Sequence, residues 1–190
     1  VSTLTLMPPD MDLDVHVEQS TDLAGGCAAV IFDSPRREYR YLLTRIWDPT
    51  VRPLVFLMLN PSTANALTDD PTIRRLAGPT GFARREGAGG VVVVNLFSLC
   101  SPRPKDLITH PNPVGRYGDA FIRRASTAGN GVIVAWGAFP VAVERGREVV
   151  AGLRKQGVAL SCLGTTSSGQ PRHPLYLPAG QPLQDFGGVS

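Results

Sequence analysis

Residues 54–59, 91–94 and 132–136 are uninterrupted apolar runs, each bounded by turn-forming residues. A strand exposed on one face alternates apolar with polar residues, whereas a continuous run suits a strand covered on both faces, as parallel strands are. Pro53 and Asn60-Pro61 bracket the first run, Gly89-Gly90 precedes the second, and Gly137 ends the third. Residues 160–163 read as a fourth strand. Upstream, 27–32 and 39–47 are β-branched, aromatic and aliphatic, and Asp33-Ser34-Pro35-Arg36-Arg37 between them supplies turn chemistry, so the two form a hairpin.

Helical signals fall between the strands. Asp70 is a natural N-cap and Pro71 suits the first helical position, where its missing N–H costs nothing. Gly78-Pro79-Thr80-Gly81 interrupts this helix before Phe82-Ala83-Arg84-Arg85 resumes it. Residues 117–128 and 141–155 carry apolar side chains at helical spacing. The alternation predicts an α/β fold, a three-layer α/β/α domain with a mainly parallel central sheet, preceded by the hairpin. Residues 1–26, with Pro8-Pro9 and Gly25-Gly26, read as a loose N-terminal arm, 27–177 as one α/β domain, and 178–190 as a frayed C-terminal tail.

At 190 residues and 43% hydrophobic, the chain is sized for one core. The net charge of +3 is a bias, not the footprint of a dedicated polyanion binder. No apolar run approaches the roughly 18 residues of a membrane span, and the start has no secretory pattern, so a cytoplasmic protein without membrane contact is expected. Cys27, Cys100 and Cys162 lie far apart without C-x-x-C spacing and read as free thiols.

Polar side chains stand where the apolar runs stop. The carboxyl ends of parallel strands converge on one crevice, where ligands bind. Asn60, in Asn60-Pro61-Ser62-Thr63-Ala64-Asn65, presents an amide there, and the small residues after it let backbone approach a phosphate or base. The alternative is an Asx-type turn. Asp69 is a candidate general base, since Asp70 is accounted for as a helix cap. Asn95 ends the valine run with Phe97 two residues on. Its amide offers a donor and an acceptor that match a nucleobase edge, and an aromatic ring can stack on a base; otherwise Asn95 serves loop amides and Phe97 the core. Pro102-Arg103-Pro104-Lys105 is a stiff basic loop suited to a phosphate backbone or to solvent alone. His173, between Arg172 and Pro174, is the histidine placed to donate to an oxyanion or move a proton. The polar loop 164–169 before it is suited to close over a ligand.

In this order, Leu59-Asn60-Pro61-Ser62, Asn95 with Ser101-Pro102-Arg103-Pro104, and His173-Pro174 resemble the motifs of the uracil-DNA glycosylase superfamily over residues 54–177. Asn-Pro-Ser-Thr-Ala, Asp-Asp-Pro-Thr-Ile-Arg-Arg and Arg-His-Pro-Leu-Tyr look closest to bacterial and phage proteins named only as a domain of unknown function. The superfamily resemblance implies a uracil-DNA-glycosylase-like fold and hydrolysis of an N-glycosidic bond, releasing a base, modified or not, from DNA. It implies Asn60 for positioning water, Asn95 for the base edge and His173 for the departing base. Pro61, Ser62, Arg103, Arg172, Leu175 and Tyr176 fall where nucleic acid is contacted, with Leu175 and Tyr176 at the wedge that flips a nucleotide. Leu59, Ser62 and Leu175 depart from the residues common at their positions, which leaves the base open. Cys100 lacks the companions of an iron–sulfur branch, so no cluster is expected, and the implied reaction needs no metal or cofactor. The expected partner is nucleic acid, DNA ahead of others, or a nucleotide; no protein partner is evident. Two alternatives stay open, hydrolysis of free or modified nucleotides and a noncatalytic nucleic-acid or nucleotide-binding module.

Overall fold

The apolar runs become neighbouring strands. In a computed structural model that describes residues 6–9, 14–21 and 26–188, β4 (Leu54–Met58) lies between β5 (Gly90–Asn95) and β6 (Val132–Val134), and β6 pairs with β7 (Leu160–Cys162). All three pairings are parallel. Alternate residues of β4, β5 and β6 enter two separate cores. Val92 and Val94 face a core shared with α3 (Asp106–Thr109), α4 (Gly118–Ala125) and α5 (Ala142–Lys155), while Val91 and Val93 face one shared with α1 (Pro71–Ala77) and α2 (Phe82–Arg85). Covered on both faces, such strands have no polar side to display, hence their unbroken hydrophobicity.

The expectation of a mainly parallel sheet is corrected by what flanks this centre. The hairpin of β2 (Cys27–Phe32) and β3 (Arg40–Ile46) does not precede the sheet but joins it, β3 running antiparallel beside β5. The full order is β1-β2-β3-β5-β4-β6-β7-β8, a mixed eight-stranded sheet of the α/β class. β1 (His16–Thr21) comes from the segment expected to be a loose arm, and β8 (Gln184–Asp185) from the expected tail. Both are edge strands paired antiparallel, and edge strands need no apolar run. Parts of the arm, residues 1–5, 10–13 and 22–25, and tail residues 189–190 lie outside the described residues. Of the tail, Phe186 is also buried, its ring edge-on to Trp136 with centroids 6.0 Å apart.

α1 starts as its sequence requires: Asp70 Oδ1 accepts from the Ile73 N–H at 2.8 Å, with Pro71 in the first turn. It stops at Gly78, and α2 begins at Phe82. α4 spans less than the expected 117–128. Beyond its end the Ser126 and Thr127 hydroxyls donate to the carbonyls of Arg123 and Arg124 at 2.7 and 2.8 Å, competing with the helical ladder.

One irregularity in β3 matters for the site. Ile31 pairs with Leu42 but Phe32 with Arg40, so Tyr41 is an extra residue, a β-bulge. Tyr41 and Leu42 therefore both enter the α4-side core, and Arg40 turns to the α1 side, where its Nη1 donates to the Ala64 carbonyl at 2.8 Å. No helix among the described residues is long and apolar enough to cross a membrane.

Candidate functional site

Beyond the carboxyl ends of β4, β5 and β6 opens a pocket of about 680 Å³. Asn60, Ser62, Asn95, Arg172, His173, Leu175 and Tyr176, all expected at a site, line it. Asn60 follows β4 and Asn95 closes β5, where the parallel ladder continues: the Leu96 N–H donates to the Met58 carbonyl at 2.9 Å. His173 arrives from the far end of the chain. The Gly137 N–H, after β6, donates to the Pro171 carbonyl at 2.9 Å, and Gly137 has φ +84°, a conformation that glycine adopts without strain. A Cβ there would meet His173 Cβ at 3.5 Å, so this turn and the histidine segment lie against each other.

The other expected residues stand outside the lining. Asp69, read as a base, is an ion-pair partner: its Oδ1 accepts from Arg45 Nε at 2.9 Å and Nη2 at 2.7 Å, and Arg45 is buried. Phe97, read as a base-stacking ring, is packed in the α4-side core, because the chain turns after Asn95. Pro61 is buried, and its carbonyl accepts from Asn60 Nδ2 at 2.9 Å and the Ser101 N–H at 3.0 Å. Arg103 is exposed and pairs with Asp106 at 3.3 Å, while its neighbours Pro102 and Pro104 line the pocket. Loop 164–169 is tied back by the Thr166 N–H donating to the Gln170 carbonyl at 2.8 Å, and Thr166 reaches the lining.

The polar groups that remain have defined roles as donors and acceptors. Asn60 Nδ2 donates to the Pro61 and Ser101 carbonyls at 2.9 and 2.8 Å, which sets the orientation of the amide and leaves Oδ1 as the acceptor it can offer. Asn95 differs. It is 3% exposed, and among the described residues neither Nδ2 nor Oδ1 has a hydrogen-bond partner. His173 Nδ1 accepts from the Leu175 N–H at 3.3 Å, so the neutral ring carries its proton on Nε2. Burial pushes the His173 pKa below its ordinary 6.5, with Asp70 pulling it back up. Asp70 itself lines the pocket, and with Oδ1 spent on the α1 cap its other oxygen accepts no hydrogen bond among the described residues.

Sequence reasoning did not single out Arg40, Trp136 or Phe139 as site residues, and it assigned Asp70 to the helix cap while setting it beside Asp69 as one of two nearby carboxylates. A signal for Arg40 existed: β3 carries two arginines, Arg40 and Arg45, in a fully buried strand that has no acid of its own. Burial lowers the Arg40 pKa, Cys100 and the Asp70 carboxylate pull it back up, and the like charge of Arg45 lowers it further. The nearby Cys100 thiol is pushed up to about 11 by burial and brings no compensating charge near neutral pH.

A family model matches residues 40–175, more than half of the chain. The chain belongs to that family, described as Protein of unknown function (DUF1643). Within the DUF1643 match fall all the lining residues except Tyr176 and Leu177, while β1, β2 and β8 lie outside it. No curated protein and no solved structure matches the chain.

Proposed function

We propose that the pocket holds a nucleobase and that the protein hydrolyses its N-glycosidic bond, as a member of the uracil-DNA glycosylase type would. The observation that carries this reading is Asn95: a buried amide with both polar atoms unpaired costs about 1–3 kcal/mol for each group. A ligand edge with a donor beside an acceptor, as on a pyrimidine or purine, satisfies both atoms at once. In this reading Asn60 Oδ1 accepts from the attacking water, the uncommitted Asp70 oxygen takes its proton, and His173 Nε2–H donates to the base as it leaves with negative charge. Asp70 replaces Asp69 as the carboxylate of the mechanism. Leu175 and Tyr176, exposed at the rim, are the wedge against a duplex. The distribution of α1 and α2 in one core and α3, α4 and α5 in the other supports the three-layer arrangement of that superfamily.

The test is release of free base, detected by mass spectrometry, from DNA and nucleotide pools containing uracil, hypoxanthine and modified pyrimidines. His173→Ala in an active enzyme should lower the cleavage rate on the order of 10²-fold, the loss typical of one oxyanion donor. Binding without release across the whole panel would instead make the protein a noncatalytic module.

A further inference from the structure

Two arginines sit buried on β3, and the difference between them is informative. Arg45 is fully engaged: Asp69 takes Nε and Nη2, and the Thr44 and Asn65 carbonyls accept from Nη1 and Nη2 at 2.9 and 2.6 Å. Arg40, five residues earlier, is 3% exposed, and among the described residues its guanidinium makes one hydrogen bond, to the Ala64 carbonyl at 2.8 Å. Its Nε is buried without a partner, and among the described residues no carboxylate lies within ion-pair distance. A buried guanidinium with no carboxylate in contact is costly, and Asp70, the carboxylate of the lining, acts on it only from beyond ion-pair distance. The bulge at Tyr41 turns this side chain onto the pocket face, and bulges beside sites re-aim side chains in this way. Arg40 lines the same pocket as the unpaired Asn95, with Arg172 at the rim and Asp70 as the carboxylate among the lining residues. The charge of the lining is positive.

We infer that Arg40 is an anion subsite of this pocket and takes a phosphoryl group of the ligand whose base rests on Asn95. The inference rests on the base-binding half of the proposed function and not on hydrolysis. A guanidinium presents planar paired donors that match phosphate oxygens, and an Asn amide matches a base edge, so the two unpaired groups together describe a nucleotide. About 680 Å³ lies within the size range of pockets for ligands of that kind. The phosphate belongs either to a free mononucleotide or to a polynucleotide backbone.

The experiment is calorimetric titration of the full chain with common nucleosides, their 5′-monophosphates, inorganic phosphate and short single-stranded oligodeoxynucleotides. For at least one base, the monophosphate should bind at least about 10-fold more tightly than its nucleoside, the effect of roughly one charge-assisted contact. Arg40→Met should abolish that difference while keeping nucleoside affinity, with a melting temperature equal to or above that of the parent. Arg40→Gln, which keeps a donor for the Ala64 carbonyl, should do the same. Equal affinities for every nucleoside and its phosphate in the parent protein overturn the subsite, as does a difference that survives either substitution. The parent comparison needs no variant, so equal affinities overturn the subsite even where both variants misfold, and a preference that Arg172→Gln abolishes overturns it in favour of the rim arginine. Tighter mononucleotides than oligonucleotides assign the phosphate to a free nucleotide, and the reverse order to a backbone. Phosphate-dependent binding without base release leaves the subsite standing and removes the hydrolase.

Discussion

Asn95 illustrates a side chain whose stability cost and function are the same feature. Replacing it by Leu, which has nearly its shape and no polar atoms, should stabilise the protein by about 1–2 kcal/mol in a denaturant melt, because two unpaired groups leave the interior. The same variant should lose base binding; a Leu variant that is less stable than the parent would show that the amide has a structural partner after all. His173 gives a pH signature. Its folded pKa lies below the ordinary 6.5 because burial penalises the charged ring. Below 6.5 the unfolded chain takes up a proton that the folded ring declines, so stability falls as pH drops from there towards the lowered value and is flat above. Melting temperatures at about pH 7.5 and pH 5.5 should therefore differ less for His173→Gln than for the parent.

At the scale of elements, the segment after β4 is held by arginines reaching out of β3: Arg40 to Ala64, and Arg45 to Asn65 and Asp69. Asp69→Ala strands the buried Arg45 charge. Because Asp69 is 19% exposed, the loss should sit near the low end for broken buried pairs, about 3 kcal/mol. Protein that remains folded should keep its turnover, in contrast to an Asp70→Ala variant; a turnover that collapses with Asp69 alone would restore it to the chemistry. The sequence made the parallel centre legible because strands buried on both faces cannot hide their hydrophobicity, and it made Asn60, Asn95 and His173 legible because polarity stands out where such runs end. Arg40 was not legible in the same way. Which face it takes depends on Tyr41 being an extra residue, and strict alternation from Leu43 would have sent Arg40 to the opposite core. Phe97 misled for a related reason: two residues past a strand end, the period no longer holds.

For the molecule as a whole, the pocket is assembled from segments far apart in sequence, and its support reaches beyond the part of the chain that the family model matches. Trp136, a lining residue, donates its indole N–H to Gln170 Oε1 at 3.0 Å, and the Phe186 ring packs edge-on against it. Phe186 is anchored in turn, its N–H donating to the Leu160 carbonyl at 2.9 Å and its carbonyl accepting from Arg154 Nη2 at 2.7 Å. Phe186, just past the last strand, thus acts as a buttress behind the pocket wall, a part that a sequence rich in glycine, proline and glutamine does not advertise. Phe186→Ala should cost about 3–5 kcal/mol, the usual price of emptying a phenylalanine site. It should also shift the tryptophan emission, because the cavity opens against the indole, and weaken ligand binding although no ligand contact is removed. A variant with unchanged melting and emission would return residues 184–186 to the status of a frayed end and leave the Trp136 wall supported by Gln170 and by its packing on Gly146 of α5.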